Sequence, residues 1–298
     1  MIDKSRLVSR TAAVVLAASL VLSPLTAGSA AFAAPATRPA VAGIAPAGPI
    51  RDLEIAHATE AMQAADWLAG QFVDGKYLLD FTGEKADVSN TIDGILALIS
   101  ANTQRGVVSS ATAWVKTQVA GYLPADSQTN LAGKAARVVL LADTLGEDPK
   151  TFGGVDAVKI LKENAPLLED DPYRSALSVI ALARVGELTK DAVQPLLATQ
   201  KTEGENAGAL AYPPSQWGDG ISVDSTALGL EALLAADEAD AAAAAKTWLV
   251  GKKNAANFWD AYSPANTTGL VIPALRAAGV DTTASEQWLI SKQLKDGS

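Results

Sequence analysis

Four segments of this chain are variants of one pattern: "TIDGILALISAN", "SALSVIALARVG", "TALGLEALLAAD" and "TGLVIPALRAAG", beginning at Thr91, Ser175, Thr226 and Thr268. Each opens on a hydroxyl residue, carries an aliphatic residue four places on (Ile95, Val179, Leu230, Ile272), and has Ala-Leu at its seventh and eighth places. A fifth copy, "AARVVLLADTLG" from Ala135, fits more loosely. Eleven places after the first residue stand Asn102, Gly146, Gly186, Asp237 and Gly279, the residue types that tolerate the left-handed conformation closing a helix. The hydroxyl at the other end supplies an oxygen for the free amides of a first turn and is read as the cap. A self-similar period of roughly forty to fifty residues means stacked units, each too small to bury its own apolar face.

A second helix precedes each of these: "ATEAMQAADWLAGQF", "SSATAWVKTQVA", "VDAVKILKENA", "KDAVQPLLATQ", "DAAAAAKTWLVGKK" and "TASEQWLISKQLK". Trp67, Trp114, Trp248 and Trp288 occupy equivalent places in them, with Leu196 and Ile160 standing in for the indole. A tryptophan at a repeated helical position is assigned to packing between neighbouring hairpins. The Thr91-type helices are apolar nearly all round, with Gly, Ala or Ser at their second and fourth places, as befits helices enclosed by neighbours.

The cassette Trp-Leu, then Gln, then Asp-Gly occurs in "ADWLAGQFVDGKY" from Ala65 and again in "EQWLISKQLKDGS", which ends at Ser298. With the Thr-Ala-Leu helix that follows, it resembles the prenyltransferase and squalene-oxidase repeat, most of all the exported bacterial proteins that carry it. The resemblance covers residues 60–298. It implies an all-α fold, an α/α toroid of repeated hairpins with an inner and an outer ring of helices, and six hairpins in a complete ring. Five complete hairpins and the first helix of a sixth are expected here. Either the ring stays open with an uncapped apolar edge, or a partner or a missing downstream segment completes it.

Residues 1–34 read as a signal peptide: a basic start (Lys4, Arg6, Arg10), a short apolar run, and a small-x-small site at Ala31-Phe32-Ala33. Residues 35–52 read as a Pro/Ala-rich spacer and residues 53–298 as the helical domain. A secreted, extracellular or cell-wall-associated protein follows, with no membrane contact once the signal is removed. Loss of the leader takes away one acid and three bases, so the formal charge moves from -9 to -11. Such a charge repels phosphate backbones and argues against nucleic acid. The absence of cysteine leaves the fold to packing alone and excludes thiolate metal sites and cysteine nucleophiles.

The connections from first to second helix are long and those from second to first short, so the long loops gather at one end of the stack. They contain all five tyrosines (Tyr77, Tyr122, Tyr173, Tyr212, Tyr262), with Trp217, Trp259, Phe81 and Phe258. Two roles stand open for these rings: a recognition surface for an extracellular small molecule or glycan, or a cover for the helix ends. Indoles on loops have the least structural reason to be there, which favours Trp217 and Trp259. At the third place of the repeated segment Leu177, Leu228 and Leu270 are aliphatic, yet Asp93 and Arg137 are charged. Those two are expected to meet across the inner helices or to face a central cavity, and they join the candidate ligand-binding set.

No catalytic residue, cofactor or metal site is assigned. Relatives by resemblance that cyclise terpenes use an Asp-x-Asp-Asp motif, absent here, and protein prenyltransferases use a zinc site with cysteine and histidine. His57, the single histidine, reads as a surface residue, and "WGDG" at Trp217 is too short for a calcium loop. Carboxylate chemistry on a polysaccharide remains the enzymatic alternative, with Asp93, Asp219 and Asp224 as acids. Asp224, just before Ser225-Thr226, also reads as a helix cap. The leading expectation is an exported binding protein holding a glycan or a cofactor-sized ligand. A surface scaffold is the third.

Overall fold

The computed structural model describes residues 58–215 and 218–298. The signal peptide, the spacer, His57 and Trp217 lie outside the described residues. Eleven α-helices follow one another: α1 Ala58–Ala69, α2 Val88–Ser100, α3 Arg105–Tyr122, α4 Ala132–Thr144, α5 Ala157–Asn164, α6 Pro172–Arg184, α7 Lys190–Ala198, α8 Val223–Ala235, α9 Ala239–Lys252, α10 Pro264–Ala277 and α11 Thr283–Ile290. The all-α expectation holds. No helix among the described residues is long and apolar enough to cross a membrane.

The even-numbered helices pack side by side in chain order, and each is backed chiefly by the odd-numbered helix that follows it. Their burial explains the repeated Ala-Leu: Ala97, Leu98, Leu141, Ala142, Ala181, Leu182, Ala232, Leu233, Ala274 and Leu275 all lie inside. Two clusters of buried residues share Leu140 and Leu188 as partly buried neighbours, so the core runs continuously through the stack.

The helix ends follow the sequence reading at one terminus and correct it at the other. Asn102, Gly146, Gly186, Asp237 and Gly279 all take positive φ, between 52° and 77°. The repeated hydroxyls, however, are not caps. Helices α2, α6 and α8 start three residues earlier, capped by Asp87, Asp171 and Ser222, which accept the amides of Asn90, Arg174 and Ser225. Asp224 is thus a first-turn residue and not the cap.

The hydroxyls instead secure the long loops. Thr91 and Thr226 each donate back to a carbonyl of their own helix start, Asp87 and Ser222, at 2.6 Å. Each oxygen also accepts an amide, of Leu78 and of Leu210, at 2.9 Å. These leucines begin short antiparallel hairpins that the sequence reading did not anticipate, Leu78–Leu79 with Ala86–Asp87 and Leu210–Ala211 with Ile221–Ser222. The glycine three places after each threonine makes room for the same leucine. A Cβ on Gly94 would lie 2.8 Å from the Leu78 side chain, and one on Gly229 would lie 2.0 Å from that of Leu210.

Each loop also rests on the next odd-numbered helix. Tyr77 packs on Trp114 with ring centroids 5.1 Å apart, Asn206 accepts the Trp248 indole N–H at 3.2 Å, and Phe258 stacks on Trp288 at 4.4 Å. Gln200 donates to the Ala241 carbonyl of α9 at 2.9 Å, and a Cβ on Gly208 would meet the Ala244 carbonyl three residues on. The C-terminal cassette repeats this on the first helix. Gln293 donates to the Glu60 carbonyl of α1 at 2.9 Å, and a Cβ on Gly297 would meet the Gln63 carbonyl, again three residues on.

Replacing Thr226 by Val keeps the shape and removes the acceptor of a buried amide. Such a loss costs about 1–3 kcal/mol, and Thr91→Val is expected to cost the same. Urea unfolding of both variants checks this, against Thr247→Val at an exposed place on α9 as the neutral reference.

Candidate functional site

The even-numbered helices bury every side except one. Between the buried residues of their middle turns, each keeps a single partly accessible stripe: Asp93 on α2, Arg137 and Leu140 on α4, Leu177 on α6, Leu228 and Glu231 on α8, Leu270 and Pro273 on α10. Positions three or four apart on a helix share one face, so first-turn Tyr173, Asp224 and Asn266 extend the same stripes. Five helices packed in a row therefore share one partly accessible face, the inner face of the row.

Asp93 and Arg137 meet on it, as their third-place positions suggested. The Arg137 Nε donates to both carboxylate oxygens of Asp93, at 3.0 and 3.2 Å, and Nη1 reaches the Gly133 carbonyl at 3.4 Å. The carboxylate holds the Arg137 guanidinium even more firmly protonated than usual, against the cost of burial.

Two of the five tyrosines, Tyr122 and Tyr173, lie close to this pair, and Tyr212 stands next to Tyr173. Tyr122 shares a 2.7 Å hydrogen bond with Ser89, and Lys134 lies over its ring at 5.0 Å. Tyr173 is pushed up to about 12, by burial first and then by the nearby Asp93 carboxylate. The Tyr212 phenol accepts the Tyr173 backbone N–H and a longer 3.4 Å bond from Ser225, while burial raises its pKa. All three phenols are therefore neutral donors or acceptors, unavailable as bases near neutral pH.

The other candidate rings stand elsewhere. Tyr77 is fixed against Trp114, and Tyr262 is 94% exposed. Trp259 corrects the expectation of an open loop indole. It is 1% exposed, its N–H donates to the Leu249 carbonyl at 2.7 Å, and its amide is held by Thr268. One edge of it borders a surface cleft of about 350 Å³ beside Trp248, Lys252, Glu205, Asp219 and Asp260. Asp219 lies in this cleft, whereas Asp93 and Asp224 lie on the inner face, so the three acids considered from sequence do not form one group. Among the described residues no cluster of acids and histidine is arranged to hold a metal ion.

The sequence reading missed Glu231 and Asn266 and misjudged Asp224. Asp224 accepts the Thr267 hydroxyl through one oxygen, but Oδ1 is buried without a partner, and burial raises the pKa of the carboxyl. Asn266 Oδ1 and Glu231 Oε2 are likewise buried and unpartnered. Burial alone pushes the Glu231 carboxyl up to about 8, although the residue as a whole stays partly accessible. The signal was present in the repeat: Glu231 stands where the other copies have Leu96, Leu140, Ile180 and Pro273.

No family model matches the chain, and no curated protein matches it significantly.

Two measurements follow from these environments. Glu231 is protonated in the folded state up to about pH 8 but only to about 4.5 when unfolded, so its contribution to stability falls as pH rises between those values. Glu231→Gln removes that loss, and its stability relative to the parent should improve by on the order of 3 kcal/mol between pH 5 and pH 8. Urea unfolding at the two pH values reads it directly. Arg137→Gln strands Asp93 on the inner face and should cost about 2 kcal/mol, measured by thermal melting and largely recovered in the double variant with Asp93→Asn.

Proposed function

We propose that the eleven helices form an α/α toroid with one inner place open, and that its inner face and mouth bind an extracellular small molecule, a glycan or a ligand of cofactor size. Closure is supported by the C-terminal cassette, which rests on Glu60 and Gln63 of α1 in the way that Gln200 and Gly208 rest on Ala241 and Ala244 of α9. The first helix thus follows the last as α9 follows α7. The inner place beside α11 suits a partner or a further stretch of chain.

The observation that carries the binding reading is the group of buried, unpartnered oxygens of Asp224, Asn266 and Glu231 on a face that also holds Tyr173 and the Asp93–Arg137 pair. Buried polar groups cost stability unless they are hydrogen-bonded, and a fold that keeps three of them on one surface leaves a ligand to satisfy them. Export through the N-terminal signal would place the ligand outside the cell. A polysaccharide hydrolase or lyase is the second reading, favoured by the contrast between Asp93, paired to a cation, and Asp224, buried without one. Carboxylates in unlike environments are suited to unlike roles in acid–base chemistry.

Calorimetric titration of the mature chain with a panel of oligosaccharides separates these readings. Binding that weakens about tenfold in Tyr173→Ala, the loss of about 1.4 kcal/mol, supports the inner face. Binding indifferent to Tyr173→Ala and Tyr212→Ala overturns it. Product release abolished by Asp224→Asn would establish the enzyme.

A further inference from the structure

We infer that the ligand of the inner face carries primary ammonium groups along its length, seated against the unpartnered Asp224 and Glu231 carboxyls of α8 beside Tyr173. This inference rests on the binding reading above and specifies its chemistry. The two halves of the inner face differ in charge. On α2 and α4 the Arg137 guanidinium is occupied by Asp93 and the Gly133 carbonyl. Lys134, over the Tyr122 ring, and Arg174, paired with Asp171 at 2.6 Å, are engaged as well. On α8 neither carboxyl has a cation: Asp224 meets only the Thr267 hydroxyl, and no charge is near enough to perturb Glu231.

The unsatisfied atoms of Asp224, Glu231 and Asn266 are all oxygens, so the complement is a set of donors. A hydroxyl would satisfy an oxygen, but only a cation also offsets the Asp224 charge removed from water and draws Glu231, which burial otherwise keeps protonated up to about pH 8, into its ionised form. Charge-assisted bonds are roughly twice as strong as neutral ones. Tyr173, within electrostatic reach of Asp224, adds a ring whose face attracts the same cation. Asp224 and Glu231 are seven residues apart, so at 1.5 Å per residue they are offset by about 10 Å along α8. The ligand must therefore carry donors along its length, and ammonium groups with further hydroxyls fit.

The test is calorimetric titration of the mature chain with a glucosamine trimer, its N-acetylated trimer, a glucose trimer and spermidine. The glucosamine trimer should bind at least tenfold more tightly than the two uncharged trimers. Asp224→Asn and Glu231→Gln should each reduce the ratio of glucosamine-trimer to uncharged-trimer affinity to near one, in proteins shown to be folded by their melting transitions. Spermidine matching the glucosamine trimer would support the ammonium and assign it to a polyamine instead of an amino sugar. Equal binding of charged and uncharged trimers, or a preference that survives both substitutions, overturns the inference and leaves the binding reading standing. If none of the four binds, the binding reading itself falls.

Discussion

The contact on which the stack depends is the one each long loop makes with the odd-numbered helix of the next unit. A helical hairpin buries one face against its own partner and leaves the other open, so a unit is stable only when a neighbour covers it. Here the neighbour is engaged twice. An aromatic or polar group of the loop meets the repeated tryptophan, as Tyr77 meets Trp114 and Phe258 meets Trp288. A glutamine and a glycine then seat the loop on the backbone of the same helix, as Gln200 and Gly208 do on α9. Because a Cβ at Gly208 would lie 2.2 Å from the Ala244 carbonyl oxygen, that approach admits no side chain.

The loops are consequently part of the packing and are not free to serve only as a binding rim. That explains why the rings divide as they do. Tyr77, Phe258, Trp248 and Trp259 belong to seams between units, each with a specific partner. Tyr122 and Tyr173 lie instead beside the Asp93–Arg137 pair, and Tyr212 meets Tyr173 and Ser225. The polar content of the inner face is uneven for the same reason. Where two charged residues fall on adjacent helices they neutralise each other, and where one stands alone at a place that is Ile180 and Pro273 on the neighbouring helices, as Glu231 does, burial raises its pKa with nothing to offset it.

Much of this was legible in the residues because helical repeats write their architecture locally. The five left-handed helix ends depend only on which residues tolerate positive φ, and Asn102, Gly146, Gly186, Asp237 and Gly279 announce themselves. The meeting of Asp93 with Arg137 followed from their shared place in adjacent copies. The hydroxyl at the head of each copy was legible as important but not in its role. A threonine oxygen can serve its own helix or another strand, and only the position of Leu78 or Leu210 shows that Thr91 and Thr226 do the second.

By itself, then, the sequence determined the number of helices, their order, which of them are enclosed, and where they end, since each of these is set by periodicity and by residues within a turn of one another. The tertiary structure alone decided which rings are open and which acids stand together. Those properties depend on atoms contributed by segments tens of residues apart: Trp259 looks like a loop indole until the Leu249 carbonyl is beside it, and Asp224 looks like a cap until Ser222 takes that place. Hydrogen bonding and desolvation act over a few ångströms of space without regard to distance along the chain. The chemistry of the inner face is therefore fixed only when the helices are laid side by side.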